Sequence, residues 1–320
     1  MSLATKYRPQ TFSDIQGQDQ TVRIIQNQIK QGNFGSVYMF VGKSGSGKTT
    51  CAKILAKEID GEILELDCAS HNGVAEIKEI IENAKVPSIL KPRKVIVLDE
   101  CQTLSNAAWS SMLIALEEGI KNVIFIFCTT DPQKIPNTIY GRADVFEFKP
   151  LLTSNICSRL KEVCTEENIE VTDKVLEIIA ESANGSMRQA LTNLEKCVMY
   201  GEFDEVTVRR LLNHVGDKTC KAVYDAVCKN DRALVIKMID TLYQRGYDLY
   251  AFVRTFLTYC VYKENDMVML DTILAILDDI RNDDNPKNII IARLLTYKGG
   301  INDEQKQKQE PQEKSHEPLS

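Results

Sequence analysis

The sequence predicts an α/β protein that begins with a five-stranded parallel sheet, covered by helices on both faces, and continues as two helical domains. Short apolar runs rich in Val, Ile and Phe alternate with helical patterns up to residue 148. A glycine-rich turn joins the first apolar run to a helix. After Pro150 the strand signal ends and only helical periodicity remains. The two parts of the chain therefore have different architectures.

Each element follows from a local pattern. Residues 1–20 are too polar and turn-rich for a core strand, whereas Val22, Ile25 and Ile29 share one face of a helix that ends at Gly32. Continuous apolar runs predict strands over 37–41, 62–67, 94–100, 122–130 and 144–148. Helical periodicity predicts helices over 19–31, 50–58, 73–85, 105–118, 153–168, 172–183, 186–200 and 205–214, and a helical block over 217–297.

The domain boundaries follow from these changes of pattern. The sheet domain is predicted over 1–151, a small helical domain over 152–215 and a second helical domain over 216–298. Residues 299–320 carry Gln, Glu, Lys and Pro with almost nothing apolar, and they are predicted to form a disordered polar tail.

Composition narrows the class of protein. The 43% hydrophobic and 26% charged shares are ordinary for a globular chain. A net charge of −6 provides no general basic field, so any contact with nucleic acid must come from a local patch or from helix N-termini. No signal peptide or membrane-length apolar run is present, and the ten cysteines include no C-x-x-C pair. We therefore expect a cytoplasmic protein with reduced thiols and no membrane partner.

A phosphate-binding loop is the strongest motif. The pattern G-x-x-x-x-G-K-[ST] lies between the first strand and the next helix, as a P-loop requires. A glycine-rich turn without a ligand is the alternative, and the flanking strand and helix disfavour it. Lys48 is expected to reach the β- and γ-phosphates and Thr49 to hold Mg²⁺. The predicted nucleotide-binding residues here are Gly42, Ser44, Gly45, Ser46, Gly47, Lys48, Thr49 and Thr50.

Two carboxylates end the third predicted strand. Asp99 is placed to hold Mg²⁺ together with Thr49, and Glu100 to take a proton from an attacking water. A solvated acidic turn is the alternative, which the P-loop upstream disfavours. Thr130, at the end of the fourth strand, lies beside these carboxylates in a parallel sheet and could orient the water. Alternatively, Thr130 caps a turn.

Two arginines complete the predicted site. Arg142 precedes the last strand, where an exposed arginine is usually a solvated surface residue. Arg188 opens a helix, where a cation is slightly unfavourable against the helix dipole, so an anionic partner explains it better.

These motifs, in this order, resemble the AAA+ clamp-loader ATPases, and especially the bacterial gamma/tau type. The resemblance covers residues 5 to about 200, while the helical block beyond 215 matches only in character and length. It is carried by the P-loop and by Lys6 to Phe12, Val97 to Glu100, Leu104-Ser105, Leu113 to Glu118, Thr129 to Pro136 and Gly185 to Leu191.

The resemblance implies an AAA+ P-loop domain, a helical lid and a helical collar for oligomerisation, with ATP and Mg²⁺ as ligands. Tyr7, Arg8 and Pro9, with the backbone near Gln16 and Gly17, would line the adenine pocket. Thr130 would be the sensor-1 residue and Arg188 the sensor-2 arginine of the lid. Arg142 would be the finger that reaches the ATP of a neighbouring subunit.

The implied function is that of an ATPase subunit that loads a sliding clamp onto primer–template DNA. The implied partners are the clamp, further loader subunits in a pentamer of identical or different chains, the DNA and the DNA polymerase. The N-termini of helices would bind the template phosphates. Alternatively, the residues at these N-termini are ordinary helix caps. The candidate DNA contacts are Ser70, His71, Asn72, Ser105 and Asn106.

Two other functions remain open. A non-hydrolysing structural subunit of the same assembly conflicts with the intact Lys48, Thr49, Asp99, Glu100 and Arg142. An AAA+ branch-migration helicase motor shares the P-loop but not the Thr129 to Lys134 segment.

The sequence departs from the family pattern in two places. Gly141 and Ala143 flank the finger where the family has Ser and Cys. The four-cysteine zinc module usual in the gamma/tau type is missing, because Lys57 to Gly61 leads directly into the next strand. We therefore predict no zinc. In this respect the chain is similar to the replication factor C small subunits, and a divergent bacterial or phage protein would show both features.

Overall fold

The computed structural model describes residues 1–281, 283 and 285–297. It divides into two compact units, one over Met1–Phe203 and a second that begins at Asp204. The predicted boundary between the two helical domains, at residue 215, lies inside the second unit and stays a prediction. The predicted tail over 299–320 lies outside the described residues.

A parallel sheet forms the centre of the first unit. All four pairings are parallel and the strand order is β2-β3-β4-β1-β5, which confirms the predicted five-stranded parallel sheet. The strands are β1 Val37–Gly42, β2 Gly61–Asp67, β3 Arg93–Asp99, β4 Val123–Thr129 and β5 Asp144–Phe148.

Both faces of this sheet are buried. Successive side chains of a strand point to opposite faces, so Tyr38 and Phe40 enter one apolar cluster while Val37 and Met39 enter the other. All seven residues of β4 are buried. The continuous apolar runs in the sequence therefore reflect strands that are covered on both sides.

Fifteen α-helices accompany the sheet in the described part of the chain. In the first unit they are α1 Leu3–Lys6, α2 Asp19–Gln31, α3 Lys48–Glu58, α4 Val74–Lys85, α5 Asn106–Glu118, α6 Asn137–Tyr140, α7 Thr153–Glu167, α8 Asp173–Ser182 and α9 Met187–Tyr200. In the second unit they are α10 Glu205–Leu211, α11 Asp217–Cys228, α12 Arg232–Gln244, α13 Leu249–Tyr259, α14 Met267–Asp279 and α15 Pro286–Leu295.

Two helix bounds differ from the predicted ones by more than one residue. The helix after the P-loop begins at Lys48 rather than residue 50, since Gly47 adopts a left-handed conformation just before it. α10 ends at Leu211 rather than residue 214, because Asn213 is left-handed and the His214 N–H bonds back to the Arg209 carbonyl. None of the helices in the described part of the chain combines the length and apolar character that a bilayer crossing needs.

The strand order decides which loops meet. β4 lies between β1 and β3, so the ends of these three strands share one edge of the sheet. The P-loop, the carboxylates after β3 and the threonines after β4 all follow at that edge. Ligands of open α/β sheets bind at this position.

Candidate nucleotide-binding site

A cleft of about 450 Å³ lies at that edge, which is an ordinary volume for a small-molecule site. It contains most of the predicted nucleotide-binding residues, but Gly17, Gly42, Thr130 and Arg142 do not line it. Those that line it are Tyr7, Arg8, Pro9, Gln16, Ser44, Gly45, Ser46, Gly47, Lys48, Thr49, Thr50, Asp99, Glu100 and Arg188.

Lys48 is the buried cation of this cleft. Its Nζ donates hydrogen bonds to the carbonyl oxygens of Gly42, at 2.8 Å, and Lys43, at 3.1 Å. Burial lowers the pKa of Lys48, while nearby negatively charged groups act in the opposite direction. A buried ammonium bound only to neutral carbonyls has much to gain from an anionic phosphate.

The loop around Lys48 fits a phosphate. The Ser46 hydroxyl is buried and has no hydrogen-bond partner among the described residues. Gly47 has φ +104°, and a Cβ added there would meet no atom within 4 Å, so space is open beside the start of α3. An orphaned donor and open space at a helix N-terminus are what a phosphate group needs.

The predicted magnesium ligands lie together. Thr49 Oγ1 donates a hydrogen bond of 2.7 Å to Asp99 Oδ2. Both side chains line the cleft, and both supply the oxygen ligands that Mg²⁺ prefers. The two residues therefore fit this ion.

Glu100 and Thr130 meet through the neighbouring strands. Thr130 Oγ1 donates to Glu100 Oε2 at 3.1 Å, as the parallel sheet predicts. Glu100 has φ +50°, a left-handed conformation that is uncommon for a residue with a side chain. Sequence reasoning missed Gln102, which bonds to both residues. The sequence signal that could have identified Gln102 was its position two residues after Glu100.

The other end of the cleft is built around Tyr7. The cationic groups of Lys6 and Arg159 lie 5.5 and 5.8 Å from the Tyr7 ring centre. The Tyr7 hydroxyl donates to Glu167, and this bond together with burial raises the pKa of Tyr7. Arg8 Nε donates to Thr50 Oγ1 at 3.1 Å and so joins this segment to α3. Arg159 and Glu167 carried no sequence signal, because they lie on α7, far along the chain.

The lid touches the P-loop at one close point. A Cβ built on Gly45 would lie 2.0 Å from Ser186 Oγ and 3.4 Å from Arg188 Cβ. Ser186 is the N-cap of α9, which places Arg188 in the first turn of that helix at the cleft. The absence of a side chain at Gly45 therefore permits the approach of the predicted lid arginine.

We expect Gly45→Ala to weaken ATP affinity by about tenfold or more, because a methyl group at φ +76° is strained and overlaps Ser186. Titration of the chain with a fluorescent ATP analogue measures this. Gly141→Ala is the matched control, since Gly141 has φ −65° and its nearest neighbour would be 3.8 Å away. Equal affinities of the two variants would contradict the expectation.

Arg142 lies outside the cleft. Its Nη2 forms a 2.7 Å ion pair with Glu117 Oε1, and its Nη1 donates to the Thr138 carbonyl at 2.8 Å. The side chain is 39% exposed, so a second molecule can reach it. Glu117, at the end of α5, is a partner that the sequence did not reveal.

The candidate DNA contacts form one exposed surface. The Ser105 N–H donates to the Asn72 carbonyl at 3.2 Å, which joins the turn before α4 to the start of α5. Ser105 Oγ accepts from the Ala108 N–H, so Ser105 is also a helix cap. Ser70 Oγ donates to Asp67, and the residues Ser70, His71, Asn72, Ser105 and Asn106 are all exposed.

The cysteines form no metal cluster among the described residues. No group of three or more His, Cys, Asp or Glu side chains there could hold a metal ion, and all ten cysteines are free. Most are buried, and burial raises the pKa of Cys51 and Cys68 to about 12. The expectation of no zinc stays a prediction.

A P-loop, a strand that ends in Asp-Glu and a helical lid against the cleft define an AAA+ ATPase. The family comparison agrees: residues 38–151 match the ATPase family associated with various cellular activities, and residues 158–199 match the RCF1/5-like AAA+ ATPase lid domain. This part of the chain belongs to the AAA family of ATPases.

Similar proteins include two bacterial DNA polymerase III subunits. The chain is 35% identical over 279 residues to DNA polymerase III subunit gamma/tau of Mycoplasma pneumoniae, covering 79% of this chain and 41% of the relative. It is 35% identical over 223 residues to DNA polymerase III subunit tau of Bacillus subtilis, covering 62% and 40%. The chain thus spans about two fifths of the length of these relatives.

The fold is shared with a solved AAA+ structure. The Holliday junction branch migration motor RuvB of Thermotoga maritima matches with a TM-score of 0.55 and 18% identity, over 69% of this chain and 79% of that one. At this identity the match shows the fold alone.

Proposed function

We propose that the chain is the ATPase subunit of a sliding-clamp loader, which uses ATP to open the DNA polymerase processivity clamp and load it onto primer–template DNA. One observation carries the proposal: the loops that hold the catalytic carboxylates are bonded to the loops that end in the candidate DNA surface. The Cys68 N–H donates to the Asp99 carbonyl at 2.9 Å, and Thr103 Oγ1 donates to the Cys68 carbonyl at 2.6 Å. The similarity to gamma/tau subunits supports the same function.

The residues of the cleft have distinct roles in this proposal. Lys48 leaves its two carbonyl partners for the β- and γ-phosphates, and Arg188 approaches the γ-phosphate from the lid. Thr49 and Asp99 hold Mg²⁺, which neutralises phosphate charge when bound. Tyr7, Arg8 and Pro9, with the backbone at Gln16 and Gly17, enclose the adenine.

Hydrolysis needs a base and a positioned water. Glu100 accepts a proton from the water that attacks the γ-phosphate, and Thr130 orients that water. The hydrogen bond between their side chains, at 3.1 Å, supports a joint role.

Arg142 makes hydrolysis depend on assembly. In this proposal it reaches the ATP of the adjacent subunit in a pentamer, and the Glu117 ion pair exchanges for that contact. The further partners are the sliding clamp, the primer–template DNA and the polymerase, in the cytoplasm of a bacterial cell.

We expect added negative charge on the candidate DNA surface to weaken DNA binding. Asn72→Asp and Asn106→Asp should each weaken DNA binding by the assembled complex by about fivefold or more, because a carboxylate some 4 Å from a phosphate costs about 1 kcal/mol in water. Asn33→Asp is the control, since it is exposed and makes the same charge change elsewhere. Affinity is measured across a salt series, and a flat salt dependence or equal effects of all three variants would contradict phosphate contact.

The function itself is tested by ATPase rates of the chain purified with its bound partners. A clamp loader should be stimulated only when both clamp and primed DNA are present. A branch-migration motor should consume ATP continuously on duplex DNA alone, and a structural subunit should not hydrolyse ATP at all. Either of these results would reject the proposal.

A further inference from the structure

The side-chain amide of Gln102 lies between the ends of β3 and β4. Gln102 follows Glu100 in a short 3₁₀ turn over Cys101–Thr103. Its Nε2 donates to Glu100 Oε2 at 2.6 Å and to Thr130 Oγ1 at 3.0 Å. Its Oε1 accepts from Thr129 Oγ1 at 2.9 Å and from the Thr130 N–H at 3.4 Å. One side chain thus joins the predicted base to the predicted water-orienting threonine.

This amide uses its full hydrogen-bonding capacity. A glutamine side chain has two N–H donors and one oxygen with two lone pairs, and all four are engaged here. The reversed amide would turn its oxygen toward the Glu100 carboxylate and its NH₂ toward the Thr130 N–H. The neighbours of Gln102 therefore determine its orientation.

The same contacts determine what remains available on Glu100. Oε2 accepts from both Gln102 and Thr130, while Oε1 makes no hydrogen bond within the described part of the chain. Glu100 lines the nucleotide cleft, whereas Gln102 and Thr130 do not. Thr130 Oγ1 donates to Glu100 and accepts from Gln102, which leaves it one lone pair.

We infer that Gln102 is a positioning residue for ATP hydrolysis, which holds Glu100 and Thr130 as one hydrogen-bonded unit around the attacking water. The inference rests on the proposed function, because it requires Glu100 to act as the base. The water oxygen bonds to the γ-phosphorus, the bond from that phosphorus to the β–γ bridging oxygen breaks, and ADP leaves. A proton of the water passes to Glu100 Oε1, while Thr130 Oγ1 accepts a hydrogen bond from the water.

Losing the amide should affect the chemical step and leave ATP binding intact. In the chain purified with its partners, with clamp and primed DNA both present, Gln102→Met should lower kcat roughly 10- to 100-fold, since a small misplacement of a reacting group costs up to about 100-fold. The KM for ATP should stay within about twofold, because Gln102 does not line the cleft. Gln133→Met is the matched control, an exposed glutamine in the 3₁₀ turn over Pro132–Lys134, and it should leave both constants unchanged.

A double-mutant cycle separates positioning from simple stabilisation. If Gln102 acts through Glu100, Gln102→Met should cause no further loss once Glu100→Gln is present. If Gln102→Met fails to fold, Gln102→Glu replaces it, because that side chain keeps the oxygen that accepts from Thr129 but loses the donor to Glu100. Thermal unfolding of each variant monitors folding.

The outcomes are distinct. An unchanged kcat for Gln102→Met and Gln102→Glu, with Glu100→Gln inactive, would overturn the inference and leave the proposed function standing. Losses that multiply in the double variant would also overturn it, since Gln102 would then act independently of Glu100. Full activity of Glu100→Gln would reject the proposed function itself.

Discussion

Replacing Arg142 by alanine is expected to lower the ATP turnover of the assembled complex by about 10³- to 10⁵-fold, the range typical of an arginine supplied in trans to a transferring phosphoryl group. ATP binding by the same subunit should be unchanged, because Arg142 lies outside the cleft and contacts Glu117 and Thr138 instead. Turnover is measured with both clamp and primed DNA present, and ATP binding by titration of the isolated chain.

The control for Arg142 is a second exposed arginine of the same unit. Arg23→Ala removes an exposed cation from α2 and should leave turnover unchanged. A lone chain that hydrolyses ATP as fast as the complex would contradict the role of Arg142, as would a complex that keeps its rate after Arg142→Ala. A complex that contains both variant and parent subunits tests which ATP site Arg142 serves. The variant subunit should impair hydrolysis at the ATP site of its neighbour and not at its own.

Replacing Lys48 by alanine is expected to weaken ATP affinity by about 30-fold or more, since truncating one member of a buried charge pair costs about 2–5 kcal/mol. The nucleotide-free variant should be at least as stable as the parent chain, because burial disfavours the charged form of Lys48 and lowers its pKa. Titration with a fluorescent ATP analogue measures the first effect, and thermal unfolding with and without ATP·Mg²⁺ the second.

The effect of Lys48 on ATP binding can also be measured as a change in the stability that bound ATP gives to the chain. At 100 times its Kd, ATP should stabilise the parent chain by about 2.7 kcal/mol, and it should stabilise the Lys48→Ala variant far less at the same concentration. Lys57→Ala is the control, because Lys57 is exposed on the same helix α3. Equal ATP stabilisation of Lys48→Ala and Lys57→Ala would mean that Lys48 does not contact the phosphates.

The sequence predicted those features that depend on residues close together along the chain. The P-loop could be read directly, because its glycines, lysine and threonine must be adjacent in the chain to surround a phosphate. The buried strands were equally clear, since both faces of β3 and β4 are covered and their residues form continuous apolar runs. Helix bounds were less exact where a left-handed residue such as Asn213 ended the helix early.

The contacts between distant segments could not be read in this way. The ion pair of Arg142 with Glu117 joins residues 25 positions apart, and the bond from Gln102 to Thr130 spans 28 positions. Neither pair has a sequence pattern, because the separation depends on loop lengths and on the strand order. The close approach of Ser186 to Gly45 depends likewise on how the lid packs.

By itself, the sequence determined the five strands, the longer helices of the first unit, the P-loop and the identity of the carboxylates, because periodicity and adjacency along the chain are sufficient for each. The sequence predicted Thr130 beside Glu100, but only the tertiary structure showed that β4 lies between β1 and β3 and that Gln102 bonds to both residues. The tertiary structure alone also showed which polar groups are buried without a hydrogen-bond partner and which cationic side chains form ion pairs. These properties depend on neighbours contributed by remote segments, and a linear pattern does not record them.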